Sequence, residues 1–245
     1  MRILLTRPRE DSESVAARLA GLGHEAIVAP LIEIELLDGV ELSLAGVQAL
    51  LATSSNGVRA LAAHREAAAA LNLPLFAVGD ATARMARAAG FEAVRTADGD
   101  VESLAALARK TLQLERGRLV HIAGRDRAGD LKALLAADGF TVDVAVLYAA
   151  QAATALPEEA RAALQAGTLD AVLLYSPRTA RIYADLVGGD EALLAAVRRM
   201  HHVCLSQAVA ARLEPLGLDP QRILVAAEPK QDALLRRLGE IEPAR

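Results

Sequence analysis

Tryptophan is absent, and aromatic residues of every kind make up only 2% of the 245-residue chain. Any core must therefore be packed with aliphatic side chains. The 53% hydrophobic content, rich in Ala, Leu and Val, supplies enough for two cores. A length of this order suits one or two domains of ordinary size. Cysteine is scarce as well. Cys204 is the single one, which excludes an internal disulfide and a metal site built from several thiolates. Its setting, His202-Val203-Cys204-Leu205, reads as a buried strand, so a structural thiol is expected rather than a nucleophile. Positive charge is not in excess: the formal net charge of −4 argues against general nucleic-acid binding, which shows as a basic face. A small anion is still allowed, because main-chain N–H groups bind anions without changing net charge. No apolar run approaches the ~20 residues a membrane helix needs. The N-terminus enters the strand-like Arg2-Ile3-Leu4-Leu5-Thr6 directly, without the pattern of a signal peptide. A cytoplasmic protein with no membrane partner is expected, and a monomer, because no long exposed apolar stripe is evident.

What the chain does contain is a regular alternation. Short apolar runs at 3–6, 26–30, 49–53, 75–78, 119–123, 141–146, 171–175, 202–205 and 223–226 read as strands. Between them, amphipathic stretches such as 14–22, 80–89, 101–111, 130–137, 157–165 and 208–216 read as helices. This alternation predicts an α/β protein with parallel sheets flanked by helices.

The chain also resembles itself. Leu19–Leu31, LAGLGHEAIVAPL, matches Leu135–Leu147, LAADGFTVDVAVL, with Gly23 and Gly139 where a left-handed residue stops a helix. The segment 51–57 resembles 173–179, each an apolar strand breaking into a Ser-led turn. The segment starting Val78-Gly79-Asp80 is echoed by Leu205-Ser206-Gln207. Two assemblies fit such a duplication. Sequential halves would divide near residue 114; alternatively, the chain crosses twice between two similar domains. Ile32–Leu37 alternates strictly and 147–153 does so more weakly, the pattern of an exposed two-stranded ribbon. The crossed arrangement is favoured. It gives a discontinuous domain of residues 1–31 and 154–245, an inserted domain of residues 38–146, and a connecting ribbon of 32–37 with 147–153. The working site is expected in the cleft between these domains.

Candidate chemistry gathers at strand ends. Thr53-Ser54-Ser55-Asn56, Gly79-Asp80, Ser176-Pro177 and Ser206-Gln207-Ala208 each turn a strand into a helix. In a parallel sheet the carboxyl ends of the strands share one edge, where ligands bind. A small polar residue there leaves the first helical N–H groups open to an anion. Plain N-caps, worth about 1 kcal/mol each, are the better explanation of any one of these turns taken alone; recurrence at equivalent strand ends in both halves is what supports a ligand. Arg7 and Arg125, just past strand ends, can hold a carboxylate by paired hydrogen bonds. Arg9, Arg127 and Arg181 are expected at the surface. The loop Gly124-Arg125-Asp126-Arg127-Ala128-Gly129 has the glycine spacing of a phosphate loop, but Asp130 stands where lysine is required, so it is no nucleotide site. Asp98-Gly99-Asp100 reads as the start of the helix at 101–111 rather than a metal loop. His201 and His202 would point to opposite faces of a strand and form no metal pair; His121 is expected in the core. No metal site is expected. Tyr148, at the start of the second connector, would face the interdomain gap, where a phenol can protonate a leaving hydroxyl. Simple packing also fits it.

Taken in order, these pieces resemble the uroporphyrinogen-III synthases. The resemblance runs from Thr6-Arg7-Pro8 through Pro30–Ile34, Thr53–Val58, Ala77–Ala83, Gly124-Arg125, Val146-Leu147-Tyr148 and Tyr175–Ala180 to Cys204-Leu205-Ser206. It implies two α/β domains joined by a two-stranded ribbon. It also implies the closure of hydroxymethylbilane, a linear tetrapyrrole polycarboxylate, to uroporphyrinogen III, with loss of water, inversion of the last ring and no cofactor. Tyr148 then matches the tyrosine that assists hydroxyl departure, and Thr53, Ser54, Gly79, Thr82, Ser176 and Ser206 match cleft-lining turns. Some relatives carry adjacent threonines where this chain has Ala208-Val209, so no hydroxyl is available there. A cytoplasmic two-domain sensor, binding an anion or a tetrapyrrole without catalysis, is the alternative of a different class.

Overall fold

Most of the strands are short, their apolar runs ending at a small polar residue or glycine as at Thr6, Thr53 and Gly79. In the computed structural model, residues 1–126 and 129–241 are described. The chain runs through β1 (Arg2–Leu5), α1 (Arg9–Gly21), β2 (Glu25–Val28), β3 (Ile32–Leu36), β4 (Val47–Ala52), α2 (Ser55–Ala62), α3 (Ala67–Ala70), β5 (Leu75–Ala77), α4 (Asp80–Ala88), β6 (Val94–Thr96), α5 (Val101–Thr111), β7 (Arg118–Gly124), α6 (Leu131–Ala136) and β8 (Val142–Ala152). It continues with α7 (Glu158–Gln165), β9 (Ala171–Leu174), α8 (Pro177–Gly188), α9 (Glu191–Val197), β10 (His201–Cys204), α10 (Gln207–Ala210), β11 (Ile223–Val225) and α11 (Gln231–Leu238).

Two compact units emerge, one of residues 1–33 and 151–245, the other of residues 34–150. In the first, five strands pair in the order β11-β10-β9-β1-β2, all parallel. Side chains alternate strictly across this sheet. Leu4, Val172, Leu174 and Cys204 enter the apolar layer shared with α7, α8 and α9. Ile3, Leu5, Ala171, Leu173 and Val203 enter the opposite layer, shared with α1 and α11. Both faces are covered, so the strands are largely apolar, with His202 of β10 a buried polar exception and Arg2 and Glu25 at the strand starts.

The second sheet has the order β3-β8-β7-β4-β5-β6, with β4, β5, β6, β7 and β8 joined by parallel pairings. Leu50, Ala52, Val120 and Ile122 face α2, α3 and α4, whereas Ala49, Leu51 and Leu119 face α5 and α6. From β4 the chain winds one way through β5 and β6 and the other way through β7 and β8. The reversal therefore falls between β4 and β7, and in the first unit it falls between β1 and β9. β3 lies beside β8, with main-chain bonds from Leu37 N to Leu147 O (2.9 Å) and from Ala153 N to Leu31 O (3.0 Å). As one chain advances the other retreats, so this edge pair is antiparallel.

Several local expectations need correction. β8 does not stop at Val146 but continues to Ala152 as one strand. The single helix expected at 208–216 is a short α10 followed by a 3₁₀ turn, Ala211–Leu216, which contains Pro215. Gly23 and Gly139 do have positive φ, 77° and 87°, at the helix ends where the sequence calls for them.

Candidate functional site

The carboxyl ends of β4 and β7 and the middle of β8 border a hollow of ≈ 520 Å³ in the second unit. It lies at that unit's reversal point, the location where open parallel sheets bind ligands, and its volume is that of a small-molecule pocket. Thr53 and Ser54 enter it from just past the end of β4, Gly124 from the end of β7, Asp126 and Gly129 from the loop that follows, and Tyr148 from β8. Val78 and the segment Gly99–Glu102 complete its wall.

A bulge decides where Tyr148 points. Ala123 pairs with Val146, but Gly124 pairs with Tyr148, so Leu147 is one residue too many in β8. Regular alternation would put Tyr148 on the face of Val142, which packs towards α5 and α6. Instead Tyr148 joins Ala145 and Leu147 in the layer against α2 and α4. Its ring rests on Gly124 and is 8% exposed. Packing and pocket lining are thus combined in one side chain.

Thr53 lies on the other face. Its Oγ1 is 3.1 Å from Nε2 of His121, a β7 residue that is 3% exposed. Ser54 caps α2, its hydroxyl accepting from Asn56 N at 3.1 Å, and Asn56 Oδ1 accepts from Arg59 at 2.6 Å. Ser54 therefore acts as a helix cap while also lining the pocket. Ser55 and Asn56 form the first turn of α2. Gly79 caps α4 in extended geometry, and a Cβ on it would stand 3.4 Å from the Cα of Gly99. Thr82 is buried inside α4. Arg125 is exposed, and its main-chain N–H donates to Tyr148 O at 2.9 Å. Of these residues only Thr53, Ser54 and Tyr148 border the hollow. Arg127 lies outside the described residues.

Asp100 was legible as a helix start, and it is one: it accepts from Ser103 N at 2.7 Å in a reciprocal cap. Those bonds, the main-chain one first, hold its carboxyl below the usual range. Its position in the pocket wall beside Glu102 was not legible, because it depends on how the loop after β6 passes Gly79.

In the first unit the reversal point brings Arg7 and Tyr175 together. The Arg7 guanidinium lies 4.6 Å above the Tyr175 ring and bonds Asp11 at 2.7 Å. Burial pushes the Tyr175 phenol up to about 12, opposed chiefly by Arg7. Ser176 caps α8, its hydroxyl accepting from Thr179 N at 3.1 Å and sharing a 2.9 Å bond with the Thr179 hydroxyl. Pro177 fills the first helical position. Ser206 caps α10 without a side-chain bond, followed by Gln207 and Ala208.

Among the described residues, no group of three or more His, Cys, Asp or Glu side chains could hold a metal ion. No described helix is long and apolar enough to cross a membrane. The family model described as uroporphyrinogen-III synthase HemD matches residues 13–236. Among curated proteins no relative matches. A uroporphyrinogen-III synthetase structure from Helicobacter pylori 26695 has a TM-score of 0.66 at 18% identity, covering 99% of this chain and 100% of that one. A mutant uroporphyrinogen III synthase from the extremely thermophilic bacterium Thermus thermophilus has a TM-score of 0.54 at 23% identity, covering 98% and 100%. These two likenesses carry the fold alone.

Proposed function

The chain belongs to the uroporphyrinogen-III synthase family, and from that premise we propose that Tyr148 and the polar strand ends do the chemical work. The reaction is the closure of hydroxymethylbilane to uroporphyrinogen III, with loss of water and inversion of the last pyrrole ring. The enzyme is a cyclising lyase acting on a small tetrapyrrole.

Loss of the hydroxyl generates an azafulvene that closes spontaneously to the uninverted isomer. The enzyme must therefore hold the chain so that the substituted position of the last ring attacks first, through a spiro intermediate. Positioning of this kind contributes on the order of 7–11 kcal/mol in favourable cases. In our reading Tyr148 gives its proton to the departing hydroxyl. The observation that carries this role is the bulge that turns its ring onto Gly124 at the pocket. Thr53, Ser54, Ser55, Asn56 and Gly79 offer hydroxyls and helix-end N–H groups to the carboxylates, with Thr82 packed behind them in α4, and Arg125 supplies a guanidinium. Arg7, Ser176, Pro177, Ser206, Gln207 and Ala208 do the same from the first unit; Arg7 has donors beyond the one given to Asp11. A hollow of ≈ 520 Å³ takes one end of a linear tetrapyrrole rather than all four rings.

The same reading takes residues 1–31 with 154–245 and residues 38–146 as the domains; the compact units divide inside the ribbons that separate them. It also takes the enzyme as a cytoplasmic monomer, in keeping with a substrate met in water as a polyanion. The test is to supply fresh hydroxymethylbilane and measure the ratio of type III to type I uroporphyrinogen. An excess of type III is expected. Type I alone, formed at the uncatalysed rate, would overturn the assignment.

A further inference from the structure

We propose that His121 is a positioning residue that turns the Thr53 hydroxyl into a hydrogen-bond donor, so that Thr53 receives a carboxylate of the substrate. The proposal rests on the reading of Thr53 as part of the binding site, and it begins from sheet register. His121 pairs with Leu51 of β4. Side chains alternate along a strand, so Thr53, two residues past Leu51, emerges on the same face as Leu51 and His121. The result is the 3.1 Å approach between His121 Nε2 and Thr53 Oγ1. One partner is 3% exposed and the other borders the hollow. The pair therefore links the interior of the sheet to the site.

A threonine hydroxyl has a single proton, and the histidine tautomer decides where it goes. With the proton on Nε2, His121 donates to Thr53 Oγ1 and the Thr53 O–H is left for the pocket. With Nε2 bare, Thr53 donates inward and turns only lone pairs to the ligand. Asp100, Glu102 and Asp126 already line this hollow with acceptors. A further acceptor at Thr53 would repel a carboxylate, whereas a donor would attract one. The tautomer of one buried imidazole thus sets which chemical class the Thr53 wall accepts, and a polycarboxylate requires Nε2–H.

The tautomer can be read directly from the imidazole nitrogen shifts of the ligand-free protein; the chain has only five histidines, and His121→Gln assigns the signal. We expect a protonated Nε2. A bare Nε2 would overturn the proposal whether or not the protein turns over hydroxymethylbilane. Kinetics supply the second arm. His121→Leu leaves the Thr53 hydroxyl without the partner that orients it, so KM for hydroxymethylbilane should rise about tenfold with little change in kcat. His121→Gln, whose amide reaches the Nε2 position, should restore KM, whereas the shorter His121→Asn should not. In a Thr53→Val background, His121→Leu should have no further effect. Equal failure of Gln and Asn, or additive losses in the double variant, would make His121 a packing residue and sink the proposal. Uroporphyrin III binding, followed by its own fluorescence, gives the same comparison without turnover. Absence of type III product from the unmodified enzyme would remove the cyclase reading while leaving the tautomer result to judge His121.

Discussion

Tyr148 occupies the space that a side chain on residue 124 would need: its Cε2 and Cζ come within 2.7 Å of where a Cβ would stand, and its hydroxyl oxygen within 3.0 Å. Glycine at 124 is therefore a requirement of the tyrosine's position and not of backbone conformation. The obstruction is a ring, which cannot move aside as the end of a flexible chain can.

Gly124→Ala should accordingly displace the phenol. Overpacking of this kind costs about 1–3 kcal/mol, so the urea midpoint should fall while the fold survives. Turnover should fall further than stability explains, because the proton donor moves. Unchanged kcat in a folded Gly124→Ala protein would show that the Tyr148 position is irrelevant to catalysis.

Tyr148→Phe keeps the ring on Gly124 and removes only the hydroxyl. General acid assistance is worth about 10²-fold or more, so kcat should drop by that order with thermal stability nearly unchanged. Full activity in Tyr148→Phe would assign the proton donor elsewhere.

The layers of both sheets were legible because fully buried strands read as apolar runs and the helices between them as amphipathic stretches. β6 was not: Val94-Arg95-Thr96 is short, polar at its centre and only partly buried, as suits an edge. The turns at Thr53, Ser54 and Ser176 were legible from their residue types, since a serine before a helix has one obvious use. The bulge at Leu147 was not, because it exists only in the register of β8 against β7, and register is a property of two strands. Nor was the His121–Thr53 pair, which needs β4 and β7 to be neighbours although 68 residues separate the two side chains. Sequence pattern therefore marked the sheet edge, while the pairing across it chose which side chains meet.

Acid should destabilise the first unit through His202. Its Nε2 lies 3.2 Å from the Tyr183 hydroxyl, both groups are buried, and Nδ1 has no hydrogen-bond partner at normal distance among the described residues. Burial lowers the His202 pKa from 6.5 to about 3; the Met200 main chain opposes this, and His201 and Arg222 add to it. Below pH 6.5 the unfolded chain takes up a proton that the folded one refuses. Stability should then fall by about 1.4 kcal/mol per pH unit from this group, levelling off near pH 3. Denaturant melts between pH 7 and 5 should show this slope, and His202→Gln should lose it. An identical slope in the variant would assign the acid sensitivity to other groups.

Cys204 should be chemically silent in the folded protein. It is fully buried, and burial pushes its thiol up to about 12, so almost none is the reactive thiolate at neutral pH. A disulfide reagent added to the native enzyme should react at the rate of local opening and leave activity intact over the assay, whereas in denaturant one thiol per chain should react at once. Fast native labelling with loss of turnover would mean that β10 opens readily, contradicting the packing of Cys204 against α8 and α9.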